Sequence, residues 1–199
     1  VLEQMNYELN YADYSPKHRD WLKKACLLKR LNSSPKKISN KLHSFEVIQA
    51  IYDYTKNLNP IVTTEVGQHQ LWAAQNFQFN MPRQFITSGG SGTMGFGLPA
   101  AIGACAANPD RTVICISGDG SFQMNEQELA TCVDYNFPVK IFILNNGYLG
   151  MVRQLQQTSF DGRYSETKIS NPDFLKLAEA YNIPALRVEK SDDIKEALD

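Results

Sequence analysis

Asp119, set between Gly118 and Gly120, and the amide pair Asn145-Asn146 are the side chains of this sequence best suited to chemistry. One carboxylate with one or two amide oxygens makes a hard donor set. Mg²⁺ takes such a set when phosphate oxygens and a water complete its octahedron. A backbone carbonyl just after the Asn pair can add a third protein oxygen. Gly118 and Gly120 let the backbone come close to a phosphate. The N–H groups of Gly120 and Ser121, opening a helix, can bind phosphate oxygen. The set suits a divalent cation, with Asp119 and Asn146 as ligands, holding a diphosphate. Taken singly, Asp119 reads as a turn or N-cap residue and the Asn pair as a simple loop.

What joins them is position. Each turn follows an apolar run that reads as a buried strand, 112–117 before the first and 139–144 before the second. Adjacent parallel strands of an open α/β sheet end on the same side, where ligands bind. The rest of the chain supports such a sheet. From Ser44 onward short apolar runs alternate with helical periodicity. Ser44 is placed to cap a helix whose Ile48, Ile51 and Tyr52 share a face, and Asn59-Pro60 ends that unit. Strands are expected at 61–66, 84–88 and 185–188, besides the two already named. Helices are expected after Gly67, over 100–107, through Leu129, Cys132 and Val133, over 173–181, and from a Ser191 cap to the end. The alternation implies a three-layer α/β/α sandwich with a mainly parallel sheet. The segment 147–171 is too long for a structureless loop in a compact domain, so it is functional or contains a helix.

Residues 1–41 differ from the rest. They are rich in Lys, Arg, Asn and Tyr and poor in periodic apolar positions. One helix over 20–30 and a linker over 31–40 are expected there, a connector ahead of a domain spanning 42–199. The first residue, Val1, suggests an excised piece or a processed chain, and the last helix runs off the end, as in a truncated domain.

Bulk composition excludes several function classes. Hydrophobic residues make up 43% and charged residues 21%, an ordinary globular balance. A net charge of −1 gives no electrostatic reason for nucleic acid or a membrane surface as partner. No apolar run approaches the ~20 residues that span a bilayer, and no secretory pattern opens the chain. Cys26, Cys105, Cys115 and Cys132 form no CxxC pair and read as free, buried thiols in a reducing compartment, which points to the cytoplasm. His18, His43 and His69 lack metal-ligand spacing.

A second phosphate-binding reading competes with the first. Gly90-Ser91-Gly92-Thr93-Met94-Gly95 fits the dinucleotide fingerprint G-x-G-x-x-G, and Asp119 follows the next strand. That reading makes the protein a nicotinamide-dependent oxidoreductase. The pattern is a weak one, and the run before it is poorer in apolar residues than a buried first strand of such a unit.

The text around the Asp and Asn turns is far more specific. Residues 118–125 (Gly-Asp-Gly-Ser-Phe-Gln-Met-Asn), Gln127-Glu128-Leu129-Ala130-Thr131 and Asn145-Asn146 with Leu149-Gly150-Met151-Val152 resemble the cofactor motif of thiamine diphosphate enzymes. Together with Glu65-Val66-Gly67-Gln68-His69-Gln70, Trp72-Ala73-Ala74-Gln75, Thr87-Ser88-Gly89-Gly90 and residues 94–101, they are similar to the C-terminal cofactor domain of acetolactate synthase (acetohydroxyacid synthase) large subunits. The resemblance covers roughly residues 42–199. It implies thiamine diphosphate and Mg²⁺ as cofactors, with FAD bound mostly by a middle domain. Asp119, Asn146 and the Tyr148 backbone oxygen would hold the metal. Gln68, His69, Gly120 and Ser121 would contact the diphosphate. Gly92 would offer its carbonyl to the aminopyrimidine, Met94 would bend the cofactor, and Met151 would line the space near its reactive carbon. The implied reaction joins pyruvate, after decarboxylation, to a second 2-keto acid, pyruvate or 2-ketobutyrate, on the route to branched-chain amino acids. A homodimer or homotetramer with a regulatory subunit is implied as well.

The activating glutamate of that family comes from a separate N-terminal domain of a partner subunit. These 199 residues are therefore expected to be inactive alone. Pyruvate oxidase, glyoxylate carboligase and sulfoacetaldehyde acetyltransferase are alternatives in the same superfamily. One departure stands out: Leu155 occupies a position where acetolactate synthases usually carry a tryptophan that shapes the choice of second substrate. Leucine offers no stacking face.

Overall fold

The structure, a computed structural model, describes residues 19–32 and 42–199. Its Cα packing divides the chain into residues 1–38 and 39–199. The described part of the first unit is helix α1 (Arg19–Asn32). This is the helix expected over 20–30, extended by Leu31 and Asn32, which had been assigned to the linker. The remainder of that linker lies outside the described residues. Cys26 on α1 is exposed, contrary to its reading as a buried thiol, whereas Cys105, Cys115 and Cys132 are free and buried as expected.

The second unit is built on four parallel strands, β1 (Ile61–Thr64), β2 (Phe85–Thr87), β3 (Val113–Gly118) and β4 (Lys140–Leu144), in the order β2-β1-β3-β4. The helices are α2 (Ser44–Thr55), α3 (Gln68–Asn76), α4 (Gly97–Ala107), the single turn α5 (Asp119–Phe122), α6 (Leu129–Asp134), α7 (Gly150–Ser159), α8 (Phe174–Ala180) and α9 (Ile194–Leu198). Side chains alternate across the strands, so a strand covered on both faces must be apolar throughout. β3 meets that demand from Val113 to Ile116. Val113 and Cys115 join one buried cluster with Leu98, Ala101, Ala104 and Cys105 of α4 and Leu129 and Cys132 of α6. Ile114 and Ile116 join the other with Ile48 and Ile51 of α2 and Ala73 of α3. Two clusters on opposite faces of one sheet are the three layers expected. Each fully buried Ile contributes roughly 1.5–3 kcal/mol relative to exposure, so β3, one of the two inner strands, anchors both layers.

Three local expectations fail. The cap of α2 is His43, not Ser44. The His43 backbone N–H donates to the Glu46 carboxylate at 3.3 Å. Ser191 is likewise inside a 3₁₀ turn (Ser191–Asp193) whose N-cap is Lys190. Its hydroxyl instead donates to Glu46 at 3.1 Å, tying the C-terminal turn to the start of α2. Residues 185–188 form no strand. No described strand pairs with them, and Leu186 is 62% exposed. An apolar alternation without a ladder partner does not make a strand. The long segment 147–171 resolves into α7, a ten-residue helix, followed by a return that bridges Tyr148 to Lys168 in antiparallel fashion.

Candidate functional site

The strand order decides where a ligand can sit. The chain passes from β1 to β2 on one side, then returns past β1 to β3 and β4 on the other. The switch point lies between β1 and β3, and crevices beyond the carboxyl ends of strands form at such points. Residues 65–69 follow β1 there, and residues 119–121 follow β3. Gly118 pairs in register with Leu144, so Asp119 and Asn145 leave the sheet side by side, as the spacing required.

The dinucleotide reading fails on the same topology. A Rossmann unit needs the glycine-rich strand to neighbour the next strand in sequence. Here β1 separates β2, which precedes Gly90–Gly95, from β3. Gly92 keeps its own turn, with φ +64° and its N–H on the Ser88 carbonyl at 3.2 Å.

Asp119 is 2% exposed. Its Oδ2 accepts from the Gly147 backbone N–H at 2.7 Å and from Asn171 Nδ2 at 2.7 Å. Both hydrogen bonds fall on one oxygen, which leaves Oδ1 for another partner. Asn146 is exposed, and its Oδ1 accepts from the Tyr148 N–H at 2.9 Å. An amide oxygen has a second lone pair, so that bond does not exhaust it. None of the loop's backbone hydrogen bonds ends on the Tyr148 carbonyl. Among the described residues no group of three or more His, Cys, Asp or Glu lies together as a metal cage. A cation here would draw one carboxylate from this chain and rely on neutral and external oxygens. That composition suits Mg²⁺ bound to a phosphate ligand.

His69, on the first turn of α3, is 5% exposed. Burial among apolar groups lowers its pKa to about 4, so it is neutral at physiological pH. Its Nε2 is buried without a hydrogen-bond partner. Buried polar atoms are rarely left so, and an unpaired one at a crevice marks a place for a ligand. Gly118 is required next to it: a Cβ there would stand 2.9 Å from His69 Nδ1. The sequence suggested that Gly118 admits phosphate, whereas in the structure its missing side chain admits the imidazole. A Cβ on Gly120 would meet Ile169 Cδ1 at 3.0 Å and Leu149 Cδ2 at 3.1 Å.

Ser121 donates its hydroxyl to the Val66 carbonyl at 3.0 Å, fastening the β3 turn to the β1 turn. Met94 reaches the same place, its Cε 3.9 Å from where a Gly120 Cβ would be. Gln68 bonds Gln154 of α7 at 2.9 Å, and its Oε1 lies against Gly150. Met151 follows Gly150 and is 37% exposed. The structure thus brings His69, Ser121, Gly120, Met94 and Asp119 together, with Gln68 beside α7. A Cβ on Gly92 would stand in open space, with nothing within 4 Å.

Sequence reasoning gave no role to Glu65, Ser117, Gln123 and Asn171. Glu65 is fully buried at the end of β1. Its carboxylate accepts from Ser117 Oγ at 2.7 Å and from the Gly95 N–H at 3.2 Å. Desolvation raises its pKa, against the lowering effect of those hydrogen bonds. The available signal was a charged residue directly after an unbroken buried run. Asn171 carried no signal, because its partners lie 26 to 52 positions away; Gln123 lay within the 118–125 run without a role assigned to it.

A buried carboxylate and an unpartnered imidazole at a switch point describe a phosphate-bearing cofactor site on an α/β sheet. Residues 65–199 match the family model described as thiamine pyrophosphate enzyme, C-terminal TPP binding domain. The chain belongs to this thiamine diphosphate enzyme family. It is 57% identical over 140 residues to the acetolactate synthase isozyme 2 large subunit of Escherichia coli (strain K12), covering 70% of this chain and 26% of that protein. It is 45% identical over 181 residues to the acetolactate synthase large subunit of Buchnera aphidicola subsp. Acyrthosiphon pisum (strain APS), covering 90% of this chain and 32% of the relative. Acetolactate synthase 1, chloroplastic, of Nicotiana tabacum is 49% identical over 156 residues, 74% of this chain and 23% of that protein. The chain therefore spans about a quarter to a third of the length of these relatives. Among the described residues no helix is long and apolar enough to cross a membrane.

Proposed function

We propose that this chain is the cofactor-holding part of an acetolactate synthase catalytic subunit, which joins decarboxylated pyruvate to a second 2-keto acid, pyruvate or 2-ketobutyrate. The observation that carries the reading is Asp119 with a free Oδ1 near His69 with an unpaired Nε2, at the switch point of the sheet, in a chain 57% identical over 140 residues to an acetolactate synthase large subunit.

Thiamine diphosphate, when bound, supplies the nucleophilic carbon and the electron sink for decarboxylation. The chain's own groups bind and orient it. Asp119, Asn146 and the Tyr148 carbonyl hold Mg²⁺. Gln68, His69 and the Gly120 and Ser121 N–H groups take the diphosphate. As a neutral imidazole, His69 donates one N–H without adding charge. The first N–H groups of a helical turn lack internal acceptors, which frees those of Gly120 and Ser121. Gly92 and Met94 orient the aminopyrimidine, and Met151 borders the reacting carbon. FAD and a glutamate that protonates the cofactor would come from other domains and a partner subunit, in a homodimer or homotetramer. The name "large subunit" borne by two of the relatives supports a regulatory small subunit. Free buried thiols support a reducing compartment, the cytoplasm.

The full-length gene product tests this with pyruvate, thiamine diphosphate, Mg²⁺ and FAD. Acetolactate should form, read as acetoin after acidification. Asp119→Ala should abolish both product and Mg²⁺-dependent binding of thiamine diphosphate. Cofactor binding that ignores Mg²⁺ and tolerates Asp119→Ala would end the proposal.

A further inference from the structure

Asn171 lies 52 positions after Asp119, on the stretch leading into α8. Both ends of its amide are engaged. Nδ2 donates to Asp119 Oδ2 at 2.7 Å and to Asn145 Oδ1 at 2.8 Å, and Oδ1 accepts from Gln123 Nε2 at 2.7 Å. Only one orientation of the amide satisfies this network, because two acceptors face one end and a donor faces the other. Gln123 is anchored in turn beside the Asp119 and Ser170 carbonyls, at 3.3 and 3.4 Å. The backbone delivering Asn171 is fixed separately. The Leu149 N–H donates to the Thr167 carbonyl at 2.8 Å, and the Ile169 N–H to the Gly147 carbonyl at 3.0 Å.

We infer that Asn171 is the positioning residue of the metal site: it clamps Asp119 through Oδ2 so that Oδ1 is aimed at the cation, and it locks Asn145 beside it. The inference rests on the Mg²⁺–diphosphate reading above. A buried carboxylate needs its charge met by donors. Two donors on one oxygen stop the carboxyl from rotating and leave the other oxygen for a cation. Outer partners of this kind set ligand orientation, and their loss weakens metal affinity by about 10- to 100-fold. The same amide bonds Asn145, so it also fixes the start of the turn that carries Asn146 and Tyr148. One side chain from a distant loop thereby registers both halves of the site.

The test measures the apparent Mg²⁺ dissociation constant at saturating thiamine diphosphate by calorimetry in the full-length gene product, with the melting temperature of the cofactor-free protein alongside. Asn171→Ala should raise the dissociation constant about tenfold or more, with little change in melting temperature. Asp173→Ala is the control. It removes the cap on the Leu175 N–H (3.0 Å) and the Arg187 pair (3.2 Å) of the same segment without touching Asp119. It should lower the melting temperature and leave Mg²⁺ affinity intact. An unchanged dissociation constant in Asn171→Ala, or an equal loss in Asp173→Ala, overturns the positioning role. If wild type holds thiamine diphosphate without Mg²⁺, or Asp119→Asn binds Mg²⁺ like wild type, the metal reading itself is wrong and the inference goes with it.

Discussion

Replacing Glu65 separates two roles that a buried carboxyl can have. Glu65→Ala strips the acceptor from the Gly95 N–H (3.2 Å) and from Ser117 Oγ (2.7 Å). Ser117 has a fallback, since its hydroxyl also lies 3.1 Å from the Gly118 carbonyl. The Gly95 N–H has none shown, and an orphaned buried donor costs about 1–3 kcal/mol. One buried methylene adds roughly 0.8 kcal/mol. Relief of carboxylate desolvation offsets part of this, leaving a deficit on the order of 2 kcal/mol. Glu65→Gln should behave differently. Its amide oxygen can still accept from Gly95, while its NH₂ donates to Ser117, which turns to the Gly118 carbonyl. A change within about 1 kcal/mol is expected. The pH dependence follows from the raised pKa of Glu65. An acid with a raised folded pKa binds more protons folded than unfolded, starting near the ordinary glutamate value of 4.5. Its contribution therefore declines as pH climbs from there to the raised value. The advantage of wild type over Glu65→Gln should shrink across that window and level off above it. Urea unfolding of the 199-residue chain across pH reads this. A Glu65→Gln variant as damaged as Glu65→Ala, or a difference that grows with pH, would refute the reasoning.

His69 and the glycines give further tests. With a folded pKa of about 4 against 6.5 unfolded, His69 binds a proton in the unfolded chain first, so stability is lost as pH falls from 6.5 toward 4. The loss should reach about 3 kcal/mol near the bottom of that range and vanish in His69→Gln. NMR titration of the ring should show no protonation above about pH 5. Gly118→Ala drives a Cβ to 2.9 Å from a buried ring and should cost roughly 1–3 kcal/mol in unfolding free energy, with weaker cofactor binding. Gly120→Ala meets only the flexible tips of Ile169 and Leu149, and should cost less by the same measurement.

Much of the architecture was legible because it is written locally. The contiguous apolar runs ahead of Gly118 and Asn145 became β3 and β4, and glycines or Asn-Pro ended the units close to where expected. α7 was left unplaced in a polar segment although Met151, Val152 and Leu155, at i, i+1 and i+4, share one face. That face stays at least 37% exposed, so it marks no packing partner within this chain. The segment 185–188 misled for the opposite reason: its alternation had the strand pattern but found no ladder. His43 displaced Ser44 as a cap because the Glu46 carboxylate reached back to its N–H.

The family resemblance supplied the Gln68-His69 pair at a helix start. The sequence by itself determined the rest of the site's inventory: one acid between glycines and an amide pair after the next strand. Each of these depends on neighbours a few residues away, so residue type and spacing suffice. Only the tertiary structure decided how they meet. Inserting β1 between β2 and β3 put Glu65 and His69 against residues 117–121 and denied Gly90–Gly95 a dinucleotide geometry. The return from α7 carried Asn171 onto Asp119. Strand order follows from which faces of the sheet the helices cover, and the clamp follows from hydrogen bonds across 52 residues. Both are set by packing over distances that no local pattern encodes.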